Sequence, residues 1–426
     1  MRPARRVAFF GETGTGNFGN EASLAAGLRL LDGTGARALA VAQLPEVVEA
    51  AHGVEAVGIR HPSAPRRGIK GLLGRAADVV HLGRTVRSVD AVVVPGTGIF
   101  EGQGQRPRGI PFSLFCLAAW SRLLRRPLLL LSVGVDDEAS PGVRRFFARA
   151  LAWADVVTVR DEGSARAVAG LGVRREVAVV PDVVLRRAPT ATPPAPGTAR
   201  THPIVGVGVM DWGGAERDAD RERYTGRSVG LVRALLAAGA GVRVVAGEDL
   251  DLRVAREVVR RVREADPGAA VELSEARTVD DVAQALGGCH ALVAARYHNL
   301  VAAVSEGVPV VATGYGPKQA ALVAAYSPYG RHGRHASHRP PGPHGPPGRP
   351  PEPEGRVHDT SHRRAHDRDS YDTATVVAQV REILADHSAE AAHVRAVADA
   401  DRAAVRAQED RVRHLLGIHV REPAAP

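Results

Sequence analysis

Short apolar runs recur along this chain. Each is followed by a loop of glycine or charged residues and then by a stretch in which apolar positions return every three or four residues. The runs predict short buried strands and the periodic stretches predict helices. In the first part of the chain strands are expected at 7–10, 37–42, 90–94, 128–133, 155–159 and 177–180, with helices ending near Leu31 and spanning 111–124. Residues 45–87 read less clearly, as helices around a basic loop holding Arg66, Arg67 and Lys70. A repeated β-α unit predicts a doubly wound parallel sheet, here over residues 1–185.

Residues 186–203 are rich in proline, alanine and threonine with no apolar period, and predict a linker. The pattern then resumes over 204–330, with strands at 204–210, 242–246, 271–273, 290–294 and 308–312. This predicts a second Rossmann-like sheet facing the first across a cleft. The apolar period stops abruptly near Ala325. Residues 331–370, dense in histidine, proline and arginine, predict disorder; the abrupt stop also fits a frame-shifted stretch in a GC-rich gene. Two amphipathic helices, 373–383 and 391–416, fall in a terminal segment 371–418 expected to pack back across both domains.

Composition narrows the class. The 426 residues carry a formal net charge of +9, which favours acidic partners. No basic, aromatic-interleaved motif points to nucleic acid. Cys116 and Cys289 are the only cysteines and lie in apolar segments, as suits a reducing cytoplasm. The most apolar region, 112–135, is interrupted by Arg122, Arg125 and Arg126, so no membrane span is expected. Histidines at 332, 335 and 338 lack an organised second shell, and no metal site is expected. Oligomeric state is not legible.

Candidate chemistry gathers in 289–318. Arg296 and His298 sit where a strand gives way to a helix, and Lys318 lies in the loop after the next strand. Open α/β sheets bind ligands outside the carboxyl ends of their strands, so two cations and a histidine are expected to converge on an anionic substrate handled by proton transfer. Lys318 is one of only two lysines, the other being Lys70; a compact ammonium kept under such a bias towards arginine suggests a specific need. The helix ends at Gly307-Val308-Pro309, a glycine stop before a proline. In the first part, Gly14, Gly16 and Gly19 match G-x-G-x-x-G. The next strand ends in Gln43 rather than an acid, so a dinucleotide reading is weak. These glycines are expected to let the backbone approach a ligand or the facing domain. Asn17, Gly19, Asn20 and Glu21, with Gly96 and Gly98 of a second glycine-rich loop, form the candidate cleft loops. Asn20 alone reads equally well as a helix cap. Asp136, Asp137 and Glu138 read as acceptor-site groups or, in preference, as acids of a helix's first turn.

In order along the chain, Gly16-Asn17-Phe18-Gly19-Asn20-Glu21-Ala22, the strand and glycine loop at 92–98, Val159-Arg160-Asp161 with Ser164, Pro181-Asp182, Arg296-Tyr297-His298 and Gly307-Val308-Pro309 to Tyr315-Gly316-Pro317-Lys318 resemble the polysaccharide pyruvyl transferase family, in particular its actinobacterial branch. The resemblance implies a B-type glycosyltransferase-like fold with the acceptor on the first domain and the donor on the second. It implies phosphoenolpyruvate as donor, no cofactor, and a cyclic pyruvate ketal on a sugar or glycolipid as product. It further implies a cytoplasmic enzyme, with peripheral contact to the inner membrane face left open. Carried over, Arg160 and Arg296 hold the donor and His298 is the acid–base residue; Lys318 is added to the donor set from its position. Asn20 stands where many members carry aspartate.

Two other readings stand beside this one. Glu306-Gly307-Val308-Pro309 resembles the acid and glycine that nucleotide-sugar glycosyltransferases place on a donor ribose. A non-catalytic family member is the other, supported by Asn20 and the 331–369 tract.

Overall fold

The computed structural model describes residues 5–62, 70–102, 104–136, 138–190, 202–211, 218–314, 316–328, 364–366 and 370–420. Seven parallel strands form the first sheet: β1 (Arg6–Phe10), β2 (Arg37–Ala42), β3 (Glu55–Gly58), β4 (Ala91–Pro95), β5 (Leu128–Val133), β6 (Val156–Val159) and β7 (Ala178–Val179). Five form the second: β8 (Ile204–Gly208), β9 (Gly241–Val245), β10 (Val271–Leu273), β11 (Ala291–Ala294) and β12 (Val310–Ala312). The first runs in the order β3-β2-β1-β4-β5-β6-β7 and the second β10-β9-β8-β11-β12. Each reverses direction once, between β1 and β4 and between β8 and β11, which opens a crevice at those strand ends.

The central strands are apolar because helices cover both faces. Every residue of β4, β5 and β11 is buried. The covering helices bury one stripe each, as Asp251–Ala265 does with Val254, Val258, Val259 and Val262. β3 escaped the sequence reading. Its EAVG run begins with an exposed acid and no residue in it is fully buried, as befits a short edge strand. Pro317 and Lys318, expected in the loop after β12, instead open the helix Pro317–Tyr326, whose first turn accommodates the proline well. The helix after β5 starts at Pro141 with no acid in its first turn. Asp136 instead accepts a hydrogen bond from Gly102 N at 2.8 Å and fixes the loop after β4.

The long C-terminal helix His387–Leu416 crosses between the sheets. Val394 and Ala398 join the second lobe's core, while Val412 and Leu416 join the first lobe's. Gln408 keys into a kink in β5. Ser132, with φ 52°, donates its N–H to Thr158 Oγ1 at 2.7 Å, and Gln408 bonds both hydroxyls. Near the crossing, Arg402 Nε donates to the Arg187 carbonyl at 2.9 Å.

Of the expected linker, Arg187 is buried, 188–190 are exposed, and 191–201 lie outside the described residues. The expected disorder over 331–370 falls mostly outside them too. Residues 364–366 depart from it: Ala365 bridges to Ala312 beside β12, and buried Arg364 pairs with Glu390 at 2.6 Å.

Candidate active site between the two sheets

On the second sheet, β11 ends at Ala294 and Arg296 becomes the N-cap residue of the helix Tyr297–Ser305. Four hydrogen bonds to carboxylates hold its guanidinium, beside one from Nη2 to the Asp211 carbonyl at 3.4 Å. Nε and Nη2 reach Asp251 at 3.0 and 2.8 Å, and Nη1 and Nη2 reach Glu248 at 2.9 and 3.0 Å. Asp251 has 0% side-chain exposure. A buried carboxylate needs such a partner. The arginine expected to hold the donor is therefore spent, in this arrangement, on tying its own lobe together.

On the first sheet, β6 ends at Val159 and Arg160 follows, with Asp161 capping the next helix through Ser164 N at 2.7 Å. The Arg160 side chain is buried. It stacks on Tyr297 at 4.5 Å and hydrogen-bonds Glu101. Glu101 belongs to the glycine-rich loop after β4, and its other oxygen accepts from Lys318 Nζ at 2.7 Å. One carboxylate thus bridges an arginine of the first lobe and a lysine of the second. Burial pushes Glu101 up, but Arg160 and Lys318 together hold its carboxyl below the usual range. Gly98 leaves room for it, since a Cβ there would sit 2.7 Å from Glu101 Oε1.

His298 lies between these groups. Its Nε2 is buried with no hydrogen-bond partner among the described residues. Burial, then the positive charges of Arg160, Lys318 and Arg296, push it down to about 3, against an opposing pull from Glu101. The imidazole is neutral in this arrangement at ordinary pH.

The first glycine loop reaches across to the second lobe. A Cβ on Gly19 would overlap the His298 ring, and one on Gly16 would lie 2.9 Å from Asp249 Oδ2. Asn17 caps the helix Phe18–Leu28 and donates Nδ2 to Glu248 at 2.5 Å. The cap is Asn17, not Asn20. Asn20 Nδ2 donates to the Glu12 carbonyl at 3.1 Å.

Glu12, Asn17, Asn20, Gly98, Glu101, Arg160, Glu248, Arg296, Tyr297, His298 and Lys318 line one cavity of about 190 Å³. Three expected cleft residues fall outside its lining: Gly19, which lies against the His298 ring, Glu21 and Gly96. Glu21 is turned inward to Gly14 N at 2.6 Å and His52 at 3.2 Å, where it shapes the loop. Gly96, with φ 36°, packs against Val183, and its carbonyl accepts from Ser23 Oγ at 2.8 Å. Glu12, Glu101, Glu248 and Tyr297 were not among the candidates. Glu101 carried a signal, an acid set between Gly98 and Gly102. Tyr315 lies outside the described residues.

The acid of the nucleotide-sugar reading is elsewhere. Glu306 has 0% side-chain exposure and binds Arg187 at 2.5 Å and Thr190 N at 3.0 Å. It anchors the chain leaving the first lobe and does not line the cavity.

A family model for polysaccharide pyruvyl transferase matches residues 17–317. Solved structures share the fold at low identity. MnaA of S. aureus with UDP is 11% identical, with TM-score 0.58 over 99% of this chain and 100% of that one. A UDP-GlcNAc 2-epimerase from Neisseria meningitidis bound to UDP-GlcNAc is 11% identical, with TM-score 0.56 over 97% and 99%. HepE of Anabaena with UDP and glucose is 15% identical, with TM-score 0.53 over 96% and 99%. Among curated protein sequences none matches this chain.

Proposed function

Because the chain belongs to the polysaccharide pyruvyl transferase family, we propose that it moves pyruvate from phosphoenolpyruvate onto a sugar of a cell-surface polysaccharide or its glycolipid precursor, as a cyclic ketal. The observation that carries this reading is Glu101 shared between Arg160 and Lys318. A position that holds one carboxylate against two cations suits the carboxylate or phosphate of a small acid. The cavity of about 190 Å³ is smaller than the ~300–1,000 Å³ of pockets that enclose drug-sized ligands. That size favours a three-carbon phosphoacid over a nucleotide sugar.

In this reading the donor displaces Glu101 and its anionic groups lie against Arg160 and Lys318. Their charge opposes the burial and the cations that keep His298 neutral, so the imidazole gains a proton as the donor binds. Protonated His298 then acts at the vinyl carbon, and the central carbon becomes open to a sugar hydroxyl. Arg296 acts through Glu248 and Asp251, holding the loop that meets Asn17. The reading carries no cofactor and no metal. It places the reaction in the cytoplasm, where the acceptor can be a soluble saccharide or a glycolipid at the inner membrane face. Among the described residues no helix is long and apolar enough to cross a membrane.

The test is thermal stabilisation by phosphoenolpyruvate, with UDP in parallel, on wild type and Lys318→Ala. At 100 times its dissociation constant a ligand adds about 2.7 kcal/mol, a clear shift. Losing a charge-assisted hydrogen bond of ~1.5–3 kcal/mol should weaken binding ten- to a hundredfold in the variant. Stabilisation by UDP alone would overturn the reading.

A further inference from the structure

The first step of ketal formation moves two protons: one is delivered to the vinyl carbon and one leaves the attacking hydroxyl. A single imidazole that is giving its proton cannot take another at the same moment. The cavity should therefore offer a second proton handler, on the lobe opposite His298.

Three carboxyl groups line the cavity: Glu12, Glu101 and Glu248. Glu101 is paired with Arg160 and Lys318, and Glu248 with Arg296. Glu12 has no ion pair among the described residues. It sits just beyond the end of β1, at the switch point of the first sheet where β1 and β4 part. Its backbone carbonyl is held by Asn20 Nδ2 at 3.1 Å and Thr15 Oγ1 at 3.3 Å. The loop runs on into the helix Phe18–Leu28, whose first turn carries Gly19 with its backbone against the His298 ring. The segment that presents Glu12 thus leads directly to the histidine, and both residues line the same cavity. Burial raises the Glu12 carboxyl from its ordinary value, with the Gln43 side chain pulling it partly back, and no neighbouring charge contributes. A carboxylate freed from cations and raised by burial is a stronger base than one locked in an ion pair.

We infer that Glu12 is the base that takes the proton from the first acceptor hydroxyl, working opposite His298; the inference rests on the pyruvyl-transfer reading. The hydroxyl oxygen forms a bond to the central carbon of the donor, and its proton passes to the Glu12 carboxylate. The electron pair of the carbon–carbon double bond takes the proton of His298 and becomes the methyl C–H bond. In the second step the carbon–oxygen bond to phosphate breaks, and phosphate leaves with the electron pair. It collects the proton from Glu12. The second hydroxyl oxygen closes the ring and gives its proton to His298. Both residues return to their starting states, and the products are the ketal and hydrogen phosphate. No oxidant or reductant is needed.

The experiment follows phosphate release from saturating phosphoenolpyruvate by the full chain, with glycerol as diol probe, alongside donor binding. Wild type, Glu12→Gln and Glu12→Ala are compared, the last with and without added formate. General-base loss predicts a rate for Glu12→Gln roughly a hundredfold or more below wild type, unchanged donor affinity, and recovery of Glu12→Ala by formate. Glu12→Gln keeps the shape of the side chain, so misfolding cannot stand in for lost chemistry. A Glu12→Gln rate equal to wild type, or formate without effect, overturns the assignment. So does a wild type that binds donor but releases no phosphate. A wild type that does not bind phosphoenolpyruvate overturns the transfer reading itself, and the inference with it.

Discussion

Arg160 and Arg296 leave their sheets at corresponding places, beyond the ends of β6 and β11 and beside a helix N-terminus. The sequence gives them the same promise. Their surroundings differ. Arg160 faces a carboxylate that it shares with Lys318, on a loop of glycines, and lies over the Tyr297 ring. Arg296 is gripped by two carboxylates of its own lobe, one of them wholly buried. What a strand-end arginine meets depends on the acids that neighbouring loops supply. A shared carboxylate on a glycine-rich loop can yield to a substrate, whereas two fixed ones cannot.

Substitutions test that contrast from its strongest side downwards. Arg296→Ala leaves Asp251 and Glu248 without their counter-charge, and breaking such a buried pair costs ~3–5 kcal/mol. Denaturant unfolding should show that loss, and a change below 1 kcal/mol would mean Arg296 is no lock. Glu101→Gln removes the anion that competes with the donor. Its affinity for phosphoenolpyruvate should rise by about tenfold, the worth of one charge-assisted hydrogen bond. A weaker affinity in calorimetry would show that Glu101 supports the site rather than standing in for its ligand.

A further test concerns protons. His298 is pushed down to about 3 by burial and by the cations around it. Its folded value lies below the unfolded one, so its contribution to stability is full above about pH 6.5 and erodes as pH falls towards the folded value. The stability gap between wild type and His298→Asn should therefore narrow between pH 7 and pH 4. Donor binding should raise the imidazole's titration point, followed by NMR. An imidazole that titrates near 6.5 without donor would remove the basis for donor-driven protonation.

Much of the fold was legible. The apolar runs marked eleven of the twelve strands closely enough to place their exits, because in most of them burial on both faces leaves a local trace. The edge strand β3 left none, since only part of it is covered. Gly16 and Gly19 were readable as points of close approach, because only a missing Cβ permits it. Glu21 and Gly96 were misplaced for the opposite reason: Glu21 turns inward to Gly14 and His52 and Gly96 packs on Val183, contacts set by how the chain folds back rather than by the residues alone. Glu12 and Glu248 went unremarked as site residues because a lone acid in a loop looks like any solvated charge.

The sequence by itself determined two doubly wound sheets, the strand ends where polar loops emerge, and the residues Arg160, Arg296, His298 and Lys318 at those ends. Only the tertiary structure decided which charges meet. Lys318 and Glu101 are 217 residues apart and Asn17 and Glu248 are 231 apart. Hydrophobic periodicity is a local property of the chain, written within a few turns or strand residues. Charge pairing and burial depend on distances across the cleft, and those exist only once the two lobes have closed on each other.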